Sequence, residues 1–169
     1  MNAKTFIAQS ARLDAIAARA TTILQKAYPD WAPTLERNLQ DEIRHARVLS
    51  ELSRGVHVDP AYAEAVAKHL SDDPFTVALT LNLIERQSIR QFRLAYRQTG
   101  IEALGAIAQD EKRHVKVGTN LIRDVRPLRL NVGTVLGWLH KAQTMLQEQG
   151  MHRLLVAASN DLDRDLRES

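Results

Sequence analysis

The residues of this 169-residue chain that point to chemistry lie in a nonapeptide that occurs twice, 69 residues apart. The copies read QDEIRHARV at 40–48 and QDEKRHVKV at 109–117, with six of nine positions identical. Each contains Glu-x-x-His, formed by Glu42 and His45 and by Glu111 and His114. Residues three apart on an α-helix share a face, about 4.5 Å apart along the axis, so both side chains can reach one metal ion. The repeat therefore predicts two helices that each offer a carboxylate and an imidazole as ligands.

The surroundings of both glutamates favour metal binding over a solvent-exposed charged face. Glu42 falls within an apolar helical stripe, and so does Glu111. The two stripes are Leu35, Leu39, Ala46 and Leu49, and Leu104, Ile107, Ala108 and Val115. A carboxylate on a buried face is costly unless a cation or a metal compensates it. Metal ligation is our primary interpretation, and a buried salt bridge is the alternative.

Two further acids are candidates for the same site. Glu85 lies on a predicted helix with Leu81, Ser88 and Phe92 at i−4, i+3 and i+7, so it should point inward. Asp14 is the acid of the first predicted helix and shares a face with apolar residues. It precedes Glu42 by 28 residues, and Glu85 precedes Glu111 by 26, which predicts similar heights in two hairpins. The alternative for Asp14 is a boundary residue paired with an arginine.

This arrangement resembles the ferritin-like di-iron carboxylate superfamily. That pattern takes one acid from helix one, Glu-x-x-His from helix two, one acid from helix three and Glu-x-x-His from helix four. The resemblance covers about residues 4–126 and implies two Fe ions, or a Mn/Fe pair, as the cofactor. The ligands that it implies are Asp14, Glu42, His45, Glu85, Glu111 and His114. The chain departs from the usual pattern in offering an aspartate, one methylene shorter, from helix one.

The resemblance also implies an outer layer of hydrogen bonds around the metal ligands. In such proteins the aspartate before the helix glutamate often orients the histidine of the opposing helix. We therefore expect Asp41 to orient His114 and Asp110 to orient His45. Such a hydrogen bond fixes the tautomer of the imidazole and raises its basicity as a ligand.

Long helices must position these side chains, and the apolar periodicity predicts an all-α fold. Helices are expected at about 4–28, 34–53, 73–98 and 101–126, with a crossover at 56–71. Two additional helices are expected at about 132–148 and 151–166, within a C-terminal region of about 131–167. Two hairpins joined by a long crossover form a known four-helix-bundle topology, here as a single domain over 1–169.

Composition and charge agree with a helical protein and restrict the kinds of site and partner that it can have. Glycine and proline contribute only 7 and 5 residues, which disfavours a sandwich, a barrel or a disordered chain. The absence of cysteine excludes disulfides, Fe–S clusters and thiol nucleophiles, so any metal must use His and carboxylate ligands. The net charge of +3 without a clustered basic face argues against nucleic acid. No apolar stretch approaches membrane-spanning length, so we expect a cytoplasmic protein without a membrane partner.

A carboxylate-rich site with two imidazoles suits iron or manganese. We expect an oxidoreductase that activates O2 or peroxide and hydroxylates or oxidises a small organic substrate, with no catalytic residues beyond the metal centre. Leu81, Ile84, Phe92 and Ile107 should exclude water and shape the substrate pocket. Without cysteine the chain lacks an electron-transfer module of its own, so an external electron donor is expected.

Two other functions stay open at this point. The same ligands would serve a ferroxidase or a rubrerythrin-like peroxidase, for which iron or peroxide is the substrate. Alternatively, the metal would only join helices in an interaction module, with segment 131–166 as a partner or homodimer surface.

Overall fold

The structure is a computed structural model, and it describes residues 3–53 and 74–125. These residues form four long helices and one short 3-10 helix. Their bounds are α1 at Ala3–Ala27, the 3-10 helix at Pro29–Trp31, α2 at Ala32–Leu52, α3 at Pro74–Thr99 and α4 at Glu102–Val125. Within these described ranges, no helix is long and apolar enough to cross a membrane.

Proline and glycine mark the ends of the helices. Pro33 lies in the first turn of α2 and Pro74 begins α3, at positions where the missing N–H costs no helical hydrogen bond. Gly100 follows α3 with a φ of +69°, and its N–H donates to the carbonyl of Tyr96 at 2.8 Å. Glycine adopts this left-handed conformation without a Cβ clash, so it allows the tight turn from α3 into α4.

The four helices form a bundle of two hairpins. The helices α1 and α2 pack along each other, as do α3 and α4, while α1 also contacts α3 and α2 contacts α4. The prediction of an all-helical bundle is confirmed for the described residues. The crossover at 56–71 and the additional C-terminal helices lie outside the described residues, and so do Trp138 and the other apolar residues of segment 131–166.

Two apolar clusters fill the interior, one toward each end of the bundle. The first surrounds Phe6 and Phe92, whose rings meet edge to face with centroids 5.2 Å apart, and it includes Leu49 and Leu104. The second contains Leu24, Leu35, Val77, Ala78, Leu81 and Leu121. Leu52, the last residue of α2, is exposed. Between the two clusters lies a layer of buried polar side chains.

Candidate metal centre

The polar layer contains all six residues that the sequence nominates as ligands. Each helix contributes to it, and no member is more than 5% exposed. Asp14 comes from α1, Glu42 and His45 from α2, Glu85 from α3, and Glu111 and His114 from α4. Four carboxyl groups and two imidazoles are thus buried at the centre of the bundle.

The ligand-type atoms of these residues fall into two groups that share Glu42. In each group one donor atom per residue lies within 4.8 Å of the others. The first group is Glu42, Glu85, Glu111 and His114, and the second is Asp14, Glu42 and His45. Glu111 also approaches the second group, since its Oε1 lies 3.6 Å from Nδ1 of His45. Two adjacent clusters that share carboxylates suit a pair of ions with bridging ligands.

The two imidazoles are oriented in the same way. Nδ1 of His114 faces the carboxylates, 2.8 Å from Glu42 Oε1 and 3.8 Å from Glu111 Oε2. Its Nε2 faces outward, 3.4 Å from Asp41 Oδ2. Nδ1 of His45 lies 3.9 Å from Asp14 Oδ2, while its Nε2 lies 3.2 Å from Oδ2 of Asp110. A proton on each Nε2 can therefore donate to an aspartate, which leaves the lone pair of Nδ1 directed into the site.

Three buried atoms of the layer make no hydrogen bond: Asp14 Oδ2, His45 Nδ1 and His114 Nδ1. The contact between His114 Nδ1 and Glu42 is short but is not aligned as a hydrogen bond. A buried polar atom without a partner costs about 1–3 kcal/mol, so three of them at one point are unusual. Each is an atom that a metal ligand would use, and the residues present therefore fit a bound metal.

Burial and mutual repulsion shift the carboxyl groups toward their protonated forms. Burial raises the pKa of Asp14 and of Glu85 well above the usual range, and neighbouring carboxylates raise both further. Burial and the charge of Glu42 raise the pKa of Glu111 to about 7. Without a cation the layer must therefore hold protons, because several carboxylates cannot all ionise side by side out of water.

The imidazoles respond to the same acids. Burial alone would lower the pKa of both histidines, but the adjacent carboxylates outweigh it. Contact with Glu111, together with the charge of Glu42, raises the pKa of His45. Contact with Glu42 and the charge of Glu111 raise the pKa of His114. Protons on the imidazoles compensate part of the acid charge in the metal-free protein.

Two arginines complete a charged network on the outer side of the histidines. Nη2 of Arg44 lies 2.7 Å from Asp41 Oδ1 and 2.7 Å from Asp110 Oδ2, so it joins α2 to α4. Arg113 makes the reciprocal pair of contacts, to Asp110 on its own helix and to Asp41 across the interface. Although burial opposes it, hydrogen bonds from Arg113 and His45 lower the pKa of Asp110. Asp41 and Asp110 therefore lie where they can hold the histidine rings, each supported by two guanidinium groups.

The comparisons with known proteins do not assign the chain to a family. No family model matches it, and neither a curated protein nor a solved structure gives a significant match.

The sequence left one part of this centre unassigned. The charge of Arg44 and Arg113 predicts only that they neutralise nearby acids or extend outward, and it names no partner. The identical position of both arginines in the repeat was the available signal, since a symmetric motif predicts symmetric contacts. A tyrosine near an oxidant could act as a radical or hydrogen-bonding group, but the Tyr96 hydroxyl donates to Glu102 at 3.2 Å beside the turn between α3 and α4. Tyr62 and the four other histidines lie outside the described residues.

Proposed function

We propose that the chain binds two transition-metal ions in the polar layer and uses them as an oxidoreductase that activates O2 or peroxide. The observation that carries this proposal is the convergence of six buried ligand-type residues, three of whose donor atoms have no hydrogen-bond partner. Buried polar atoms are normally hydrogen-bonded, so this concentration of unpartnered ligand-type atoms favours a bound metal over a buried ion pair.

Charge balance favours two ions over one. The four carboxylates of Asp14, Glu42, Glu85 and Glu111 carry a formal charge of −4 when ionised. Two divalent cations with two neutral imidazoles cancel that charge, whereas one cation leaves two buried negative charges without compensation. Two divalent cations would therefore replace the protons that the metal-free layer must hold.

The donor set favours iron, or a manganese and iron pair. Carboxylate oxygens and two imidazole nitrogens suit these ions, and thiolate ligands are absent because the chain has no cysteine. An iron pair supplies electrons for the reduction of O2 or peroxide when it is bound. The likeness to ferritin-like di-iron proteins supports this choice, and so do the contacts of His114 with Asp41 and of His45 with Asp110.

The chain's own residues would prepare the layer for that chemistry. The apolar clusters on either side keep water from the ligands, which strengthens every electrostatic interaction within the layer. Asp41 and Asp110 hold the imidazole rings, and the arginines form ion pairs with both aspartates. We also propose that the protein oxidises a small organic substrate and receives electrons from an external donor. The ferritin-like crossover and the C-terminal helices are part of the same proposal.

The direct test is metal content. Protein produced with iron and manganese available should contain about two metal ions per chain, as expected for a dinuclear carboxylate site. Glu111→Ala should abolish metal binding and O2 consumption, because Glu111 contacts the histidines of both groups. Glu51→Ala is the matched control, since Glu51 is an exposed acid of α2. Unchanged metal content in Glu111→Ala would refute the proposed site.

A further inference from the structure

A small apolar pocket lies between α1 and α3, on the side of the bundle that carries the two single acids. Its lining includes three residues of each helix, Leu13, Ala17, Ala20, Thr80, Leu81 and Ile84. The cavity volume is about 20 Å³. A single water molecule requires roughly 10–15 Å³ measured in this way, so the pocket has room for a molecule only slightly larger than water.

The pocket begins beside the candidate metal centre. Ala17 follows Asp14 by three residues, and Leu81 precedes Glu85 by four. Residues three or four apart on a helix are neighbours on its surface. Two residues of the lining are therefore neighbours of the two acids, on the side opposite the α2 and α4 helices that carry the histidines.

Size and lining restrict the molecule that this pocket can hold. The expected organic-substrate pocket included Phe92 and Ile107, but both residues belong to the apolar cluster at the first end of the bundle. The pocket that does form is smaller than a site for a typical organic ligand, which occupies several hundred Å³. Its lining is almost wholly apolar, with the Thr80 hydroxyl as its polar group. Peroxide, which needs several hydrogen-bond partners, would lose them on entering.

We propose that this pocket binds dioxygen and delivers it to the metal centre between Asp14 and Glu85. The inference rests on the proposed function and deepens it, because it selects O2 over peroxide as the oxidant. An apolar diatomic molecule pays no desolvation cost in such a pocket and fits its volume.

Dioxygen itself is the probe for the first test, because it is paramagnetic and perturbs the NMR signals of nearby methyl groups. The spectra would be recorded under O2 pressure on the protein as purified and on protein loaded with diamagnetic Zn²⁺. The methyls of Leu13, Leu81 and Ile84 should show the largest O2-induced shifts, and those of the buried Leu104 and the partly buried Ile101, which lie outside the pocket, should show small ones. Equal shifts in both sets would overturn the proposal, whether or not the protein binds metal.

Filling the pocket provides the second test. Ala20→Leu, with Ala17→Val as the smaller alternative, places added carbon atoms in the cavity and should abolish the O2-induced shifts. Ala8→Leu is the matched control, since it enlarges a partly buried alanine of the same helix outside the pocket. Persistence of the shifts in both filled variants, with helicity unchanged, would contradict the assignment.

The rates of Fe²⁺ oxidation distinguish a defect in the pocket from a defect in the metal centre. In protein loaded with Fe²⁺, the filled variants should be oxidised more slowly than the parent by O2, but at an unchanged rate by hydrogen peroxide. An equal loss with both oxidants would mean that the substitutions damage the centre, and would overturn the delivery route. Failure to bind Fe²⁺ at all would instead refute the proposed function, and the methyl shifts would still report on the pocket.

Discussion

At the scale of single residues, the orientation of the histidines decides whether the layer can bind metal. Each ring has its Nε2 beside an aspartate and its Nδ1 among the acids of the site. An ionised aspartate accepts a hydrogen bond and cannot donate one, so it holds the proton on Nε2. At Asp110 the hydrogen bond from Arg113 supports this role, because it lowers the pKa of that carboxyl.

Asp110→Asn should weaken metal binding without removing a metal ligand. An asparagine amide can donate to Nε2 of His45 and so favour the tautomer with its proton on Nδ1, which cannot bind metal. Loss of such an outer hydrogen bond typically lowers metal affinity by about 10–100-fold. Competitive titration with Co²⁺ would measure the change.

The control for this substitution is Asp124→Asn, because Asp124 is a half-exposed acid of the same helix. It should bind Co²⁺ with unchanged affinity. If Asp110→Asn also retained the parent affinity, Asp110 would not be a positioning residue for His45.

At the scale of the elements, the approach of α3 to α4 depends on one glycine. A Cβ at Gly118 would lie 2.6 Å from Nδ2 of Asn82. The Asn82 side chain is buried and cannot move freely, since it donates to the carbonyl of Val115 and accepts from Arg86. Gly105, on the same helix, is less crowded, because its nearest neighbours are Tyr96 ring atoms at 3.5 Å.

Gly118→Ala and Gly105→Ala should therefore change stability in opposite directions. Alanine in a helix interior gains about 0.5–1 kcal/mol over glycine, and Gly105→Ala should show that gain. At Gly118 the displaced Asn82 would lose buried hydrogen bonds worth about 1–3 kcal/mol, which exceeds the gain. Thermal unfolding should show a lower melting temperature for Gly118→Ala and a higher one for Gly105→Ala. A rise in both would mean that Asn82 does not lock the two helices.

The sequence predicted the helices and the inward side chains better than the contacts between helices. Glu85 could be placed inward because its apolar neighbours at i−4, i+3 and i+7 share one face. The reach of Arg44 from α2 to Asp110 on α4 depends on the register between two hairpins. Local periodicity carries no information on that register. The 3-10 turn at Pro29–Trp31 was also missed, because Pro29 and Pro33 indicate only that a helix ends.

At the scale of the whole molecule, the fold encloses a charged layer between two apolar clusters, and this makes stability depend on protons. In the metal-free protein the pKa values of Asp14, Glu85 and Glu111 are raised by burial, and contacts with acids raise those of both histidines. The folded state then binds these protons more tightly than the unfolded chain. Each group contributes stability at low pH and loses it as pH rises through its folded pKa.

The free energy of unfolding of the metal-free protein should therefore fall as pH rises from about 5 to 8, through the pKa of Glu111 near 7. Asp110 acts in the opposite sense, because its pKa is lowered, but it does so only below its ordinary value of 3.8. Glu111→Gln, which imitates the protonated acid, should flatten the profile. Urea unfolding after chelator treatment measures it, and a profile that rises over this range would contradict the charge assignment.

Metal should reverse this dependence, because a bound cation replaces the protons and binds the ionised ligands. With free Fe²⁺ at about 100 times its dissociation constant, each bound ion adds about 2.7 kcal/mol to the free energy of unfolding. At about 2–4 °C per kcal/mol, the melting temperature should rise by roughly 5–10 °C for each ion bound. The rise should be larger at high pH, where the ligands bind fewer protons, and absent in Glu111→Ala. A metal effect that does not grow with pH would place the ion away from these carboxylates.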